Sequence, residues 1–167
     1  MSTAMGEASA SGLGTVGWRE WVSLPDLGIP WIKCKVDTGA RTSAIHATEL
    51  EVSMPDGIET VSFEIHPWQD SDADPVRVTA PVLEHREIRS SNGELSLRPV
   101  VRTTIGVGPR SVQADLTLAR RYDMGFRMLL GRKALSGTFL IDPAHSYLQG
   151  RPPLDVRDRN RGRGGRS

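Results

Sequence analysis

Short runs of Val, Ile, Leu and Thr recur through the middle of the chain and predict strands over Trp31–Val36, Thr60–Ile65, Val76–Pro81, Leu95–Ile105 and Ser111–Leu118. The first alternates cleanly. Ile32, Cys34 and Val36 fall on one side and Lys33 and Lys35 on the other, the period of a half-buried strand. Turn chemistry separates the runs at Pro55-Asp56-Gly57, Ser91-Asn92-Gly93 and Gly106-Val107-Gly108-Pro109, where Gly or Asn supplies the positive φ that tight connections require. One short helix is expected over Arg132–Leu135, bracketed by Gly131 and Gly137. There is no fixed-period repeat, but an apolar strand runs into a Gly loop twice, once from Ile32 to Gly39 and again from Phe126 to Gly131. These patterns describe a mostly β domain connected by hairpins.

The ends read differently. Residues 1–16 are Ser, Gly, Ala and Thr with no periodic apolar face, which predicts a disordered leader. Residues 17–150 form the expected domain. Residues 151–167 set Arg157, Arg159, Arg161, Arg163 and Arg166 among Gly, Asp and Asn, which predicts a flexible basic tail, solvated or touching RNA or an acidic partner.

Composition narrows the function classes. With 167 residues, 38% of them hydrophobic, the chain can build one sizeable core. Its 21 Lys and Arg against 20 Asp and Glu leave a net charge of +1, which argues against wholesale binding to nucleic acid or an anionic membrane. Direct nucleic-acid binding by the core domain is not expected. Cys34 is the lone cysteine, no signal-peptide pattern opens the chain, and no apolar run approaches a bilayer span; a soluble, cytoplasmic protein is expected.

Asp37-Thr38-Gly39-Ala40 follows the alternating strand, so its carboxylate emerges where a half-buried strand turns into a loop and can be rigidly aimed. Gly39 permits close backbone approach and the Thr38 hydroxyl can anchor the loop. Alone, such a triplet is often a simple turn. Here it is followed in order by a hairpin through Arg89-Ser90-Ser91-Asn92-Gly93-Glu94-Leu95 and by Met128-Leu129-Leu130-Gly131-Arg132 with the short helix. In this order the chain resembles the retropepsin family of one-domain aspartic peptidases. It resembles more closely the bacterial retropepsin-like proteins often labelled ATP-dependent zinc proteases, including the RimB-type partners of RimK glutamate ligases. Gly17-Trp18-Arg19-Glu20-Trp21-Val22, Lys35 through Ala44, Ser90 through Gly93, Arg98-Pro99-Val100-Val101 and Met128 through Arg132 carry that likeness.

The resemblance implies an all-β, retropepsin-like closed barrel, the acid protease fold, with one short C-terminal helix. It implies an aspartic peptidase whose catalytic loop is Asp37, Thr38 and Gly39, and a flap at Ser91, Asn92 and Gly93. Only one Asp-Thr-Gly occurs, while the chemistry needs two carboxylates around one water, so a homodimer is expected to supply the second Asp37. The implied substrate is an acidic peptide or protein tail, poly-glutamate on a small-subunit ribosomal protein, with a functional link to a RimK-type ligase. Arg86, Arg89 and Arg98, near the loop and flap, join Ala40, Arg41 and Arg132 as candidate substrate contacts, a guanidinium fork being suited to carboxylates. Where viral relatives continue with acidic residues after the loop, this chain has Arg41 and Thr42. Arg132 then needs another partner, or joins Arg41 in an electropositive patch.

Neither a metal nor another cofactor is expected. His46, His66, His85, His145 and Cys34 show no His-Glu-x-x-His or Cys-x-x-Cys spacing, and there is no phosphate-binding loop. Asp26, Asp115, Asp123 and Asp142 are rival acids, none followed by Thr-Gly or Ser-Gly. Two alternatives stand beside the peptidase: a non-catalytic dimeric β module that binds acidic C-terminal tails, and a zinc-dependent peptidase, as the label suggests.

Overall fold

Pairing between strands far apart in sequence decides the architecture. In the computed structural model, which describes residues 12–89, 92–120 and 125–163, the strands are β1 (Gly14–Val16), β2 (Arg19–Leu24), β3 (Ile29–Asp37), β4 (Ser43–Ser53), β5 (Thr60–Ile65), β6 (Val76–Pro81), β7 (Glu84–Arg89), β8 (Leu95–Val107), β9 (Arg110–Ala119), β10 (Met128–Gly131) and β11 (Phe139–Ile141). Two short helices follow the later strands, α1 (Arg132–Leu135) and α2 (Leu154–Asn160). Six strands pair in the cycle β10-β3-β2-β8-β9-β4 and return to β10 through Met128 opposite Ile45. This is the closed all-β barrel expected from the resemblance. Closure removes the open edges that a flat sheet would expose.

The inward residues of β3 (Ile32, Cys34 and Val36) meet Ile45 of β4, Leu116 and Leu118 of β9 and Met128 and Leu130 of β10 in one buried cluster. Each large aliphatic side chain buried there contributes about 1.5–3 kcal/mol. β8 changes character along its length. Its second half, from Val100, pairs with β9 and is largely buried; its first half pairs with β7 and is largely exposed. The β7–β8 hairpin therefore stands out from the barrel as an arm. Beyond β4, strands β5 and β6 extend the sheet.

The echo between the two strand-to-Gly segments has a structural meaning. β3 and β10 lie side by side and parallel, with Leu130 opposite Val36 and Gly131 opposite Asp37. The chain after Asp37 then crosses directly over Gly131. A Cβ there would lie 2.5 Å from the carbonyl carbon and oxygen of Thr42 and 3.0 Å from the Ala40 oxygen. Glycine is required by that close approach of backbone.

Order reaches further toward both ends than composition indicated. β1, inside the expected leader, pairs in parallel with β11, and the Gly14 N–H donates to the Thr138 oxygen at 2.9 Å. Within the expected flexible tail, α2 is a second helix that the pattern missed. Asn160 at its end is buried; its Oδ1 accepts the Gln69 N–H and its carbonyl accepts the Asp70 N–H, each at 2.8 Å. Buried Glu20 plays a similar part, its carboxylate accepting the N–H groups of Gly17 (2.6 Å), Leu148 (2.9 Å) and Gln149 (3.0 Å).

His46 is fully buried on β4, its ring 6.2 Å from that of His66. Burial first, then the neighbouring Arg127 and His66, push its imidazole down to about 4, while Asp72 opposes them. An unfolded chain takes up that proton near the ordinary value of 6.5, so stability should fall as pH drops from about 6.5 to about 4. Denaturant midpoints measured across this window should decline, and His46→Gln should flatten the decline; an equal slope in the variant contradicts the assignment. At the crossing, Gly131→Ala should cost about 1–3 kcal/mol or more, because backbone must move to admit the methyl. An unchanged unfolding midpoint would show that the crossing tolerates a side chain.

Candidate active site

Asp37 is the last residue of β3 and is half-buried, with Thr38 and Gly39 exposed beyond it. Its Oδ1 accepts the Gly39 N–H at 3.0 Å and its carbonyl accepts the Ala40 N–H at 3.2 Å, so the loop folds back on the carboxylate it presents. The facing loop ties it down. Arg132 N–H donates to the Ala40 oxygen (2.9 Å), Lys133 N–H to the Arg41 oxygen (3.0 Å), and Gly131 N–H to Ser43 Oγ (3.0 Å). Peptide groups of a short loop are thus satisfied by the segment opposite, which fixes the direction of Asp37.

The Arg132 side chain finds its partners in the same loop. Its Nη1 donates to the Thr38 and Gly39 oxygens at 3.2 and 3.4 Å. Where the viral pattern would use an ion pair, this chain uses backbone carbonyls of the Asp37 loop. Arg86, on β7, spans from the arm to the loop, donating to Thr42 Oγ1 and pairing with Glu84.

The remaining expected contacts divide by place. Arg41 is exposed on the loop. Arg89 closes the arm's tip by donating to the Gly93 oxygen at 3.2 Å, and Asn92 Oδ1 accepts the Glu94 N–H at 3.1 Å. Ser91 lies outside the described residues, as does Asp123. Arg98 sits at the arm's base, where its Nε donates to the Leu118 oxygen at 2.7 Å; burial, and then Arg120, hold its guanidinium below the usual range. That bond occupies one of its donors with backbone.

Each described rival acid has other partners. Asp26 accepts the Thr104 N–H. Asp142 caps a turn, its carboxyl held below the usual range first by the Ala144 N–H and then by His145. Burial alone would raise Asp115, yet Arg102 and Lys133 outweigh it and hold the carboxyl below the usual range. Asp115 also lines a cavity of about 230 Å³ with Thr42, Ser43, Arg102, Gln113 and Lys133, directly behind the loop. Ser43, whose hydroxyl joins the two loops, was missed by sequence reasoning. Its position in the Ala40-Arg41-Thr42-Ser43 run is the only signal the sequence offers.

For zinc the donor set is a poor fit. Among the described residues, no three His, Cys, Asp or Glu side chains gather to hold a metal ion. His85 pairs with Glu59 and His145 with Asp142. The Cys34 thiol is buried and pushed up to about 12, mainly by that burial and then by Glu20.

Comparison with known proteins places this geometry in context. A crystal structure of a protein of unknown function from Legionella pneumophila superposes with a TM-score of 0.69 at 23% identity, covering 81% of this chain and 98% of that one, which bears on fold alone. Proteins named probable alpha-L-glutamate ligase are similar in sequence. That from Shewanella halifaxensis is 44% identical over 135 residues, 81% of this chain and 30% of its own length. That from Desulfotalea psychrophila is 46% identical over 129 residues, 77% of this chain and 28% of its own. The chain therefore spans less than a third of the length of these relatives. The model of one family matches from residue 15 to residue 152, through the Asp37 loop, the arm and the Gly131 crossing, and the chain belongs to that family, the RimB-like, retropepsin-like aspartic endopeptidases.

Proposed function

We propose that this domain hydrolyses peptide bonds with a pair of Asp37 carboxylates, one from each copy of a two-fold homodimer. The supporting observation is the clamped loop: Asp37 stands at a strand end, in a loop whose peptide groups are bonded to the Gly131–Lys133 segment. Two carboxylates a few ångströms apart share one proton and titrate as a coupled unit. The ionised member takes a proton from the trapped water, whose oxygen attacks the scissile carbonyl carbon. The protonated member donates to the carbonyl oxygen. The C–N bond then breaks, with the amine leaving protonated and the new carboxyl retaining the water oxygen. The arm closes over the peptide and excludes bulk water.

The substrate class we favour is an acidic tail, poly-glutamate on a ribosomal protein, handled in the cytoplasm alongside a RimK-type ligase. Similarity to proteins named glutamate ligases favours it, since a ligase that adds glutamates calls for an activity that removes them. The guanidinium groups around the loop (Arg41, Arg86 and Arg132) suit repeated carboxylates. A second reading also draws on those relatives. The matched segment is about 30% of a longer protein named as a ligase, so the module could hold acidic tails without cutting them.

One comparison separates the readings. Incubated with a poly-glutamate-tailed peptide, the protein should release shorter products, and Asp37→Asn should lower that rate by about 10²–10⁴-fold, the span of general acid–base catalysis, while tail binding and dimer mass persist. A chelator should leave the rate unchanged. Binding without cleavage by the unsubstituted protein would establish the binding module, and loss of activity to the chelator alone would establish a metal enzyme.

A further inference from the structure

Away from the loop, four cations close on one small pocket: Lys33 of β3, Arg151, Arg157 of α2, and Arg161 just beyond it, with Trp21 and Tyr147 as walls. Among the described residues, no Asp or Glu lines it. Arg77, Arg86, Arg102, Arg127 and Arg159 each face a carboxylate, whereas none of these four has an ion-pair partner among the described residues. The Arg157 Nε is buried with no hydrogen-bond partner among the described residues. Arg151 and Arg161 are exposed while Lys33 and Arg157 are half-buried, so the cluster gathers unneutralised positive charge at a partly desolvated spot that an anion can complete.

The aromatic walls hold the cations without cancelling them. Lys33 Nζ lies 5.5 Å from the Trp21 ring centre and 5.6 Å from that of Tyr147, and the Arg151 guanidinium lies 4.8 Å from Tyr147. Such contacts fix position and leave the donors available to a ligand. The cavity, about 30 Å³, is of a size to take one small oxyanion head.

Register relates the pocket to the active site. Residues 32, 34 and 36 of β3 are buried, so Lys33, Lys35 and Asp37 share its outer face. Four steps at about 3.3 Å put Lys33 roughly 13 Å from Asp37. An extended peptide covers that span in about four residues. Exposed Lys35 stands between, with Arg19 opposite it on β2.

We propose that this pocket is a carboxylate-binding exosite, which holds one acidic side chain or the terminus of an acidic peptide while the chain runs along β3 toward Asp37. The direction of the chain rests on the peptidase reading; the anion site does not. The test uses fluorescein-labelled hexaglutamate and the full chain. Arg151→Ala with Arg161→Ala should weaken binding by about tenfold or more and raise KM for hexaglutamate cleavage, with the unfolding midpoint retained. Lys33→Gln, made separately, should weaken binding in the same direction. Hexaglutamine should not bind. Unchanged affinity in both variants, or no binding by the unsubstituted protein, overturns the site, as does preferential displacement of the probe by a single-stranded RNA oligonucleotide. Binding that depends on these residues, in a protein that cuts nothing, leaves the site standing and overturns the peptidase reading instead.

Discussion

Two loops meet where Gly131 leaves no space for a side chain, and the functional reading depends on that contact. Because β3 and β10 run parallel, both strands end at the same level, and the chain leaving Asp37 must pass over the chain leaving β10. The absence of a Cβ lets their peptide groups bond directly, Arg132 and Lys133 donating to Ala40 and Arg41, while Ser43 accepts from Gly131. Arg132 then returns through its side chain to the Thr38 and Gly39 carbonyls. One residue without a side chain thereby sets the position of a carboxylate contributed by a strand roughly 90 residues earlier, which is more precise placement than a free loop could give.

Charge is organised around the same frame. Asp115 pairs with both Arg102 and Lys133 behind the loop, while Arg132 is bonded to carbonyls and not to a carboxylate. The barrel keeps its apolar face of β3 inward and turns Lys33, Lys35 and Asp37 outward. An acidic ligand would meet attraction along its path before it meets the carboxylate.

Much of this frame was legible in the residues, and the failures have physical causes. The Thr60–Ile65 and Val76–Pro81 strands and the Arg132–Leu135 helix end where pattern and punctuation place them, because each is decided by local alternation or by flanking Gly. β4 carries no clear strand signal: its Ala, His and Glu content lacks clean alternation, and Glu49 adopts a positive φ where the register shifts. β7 is mostly charged (Glu84, Arg86, Glu87 and Arg89) because its arm projects from the barrel and has no fully buried face to declare. β1 and α2 escaped for another reason. Their partners lie far away, Asn160 bonding to a residue 91 positions earlier, and no local signal reports such a bond. The Asp37 loop was found because its residues are contiguous, whereas the Ser43 bridge and the pocket at Lys33 exist only once the chain is folded.

The proposed chemistry needs two copies of Asp37 acting on one peptide. Co-refolding the protein with its Asp37→Asn form, at equal amounts and fixed total concentration, tests this most directly, because random pairing leaves roughly one quarter of the dimers with both carboxylates. The cleavage rate should fall to about that quarter and follow the square of the unsubstituted fraction. A rate that falls in direct proportion to that fraction, to about one half, would mean that each copy works alone and would contradict the shared pair.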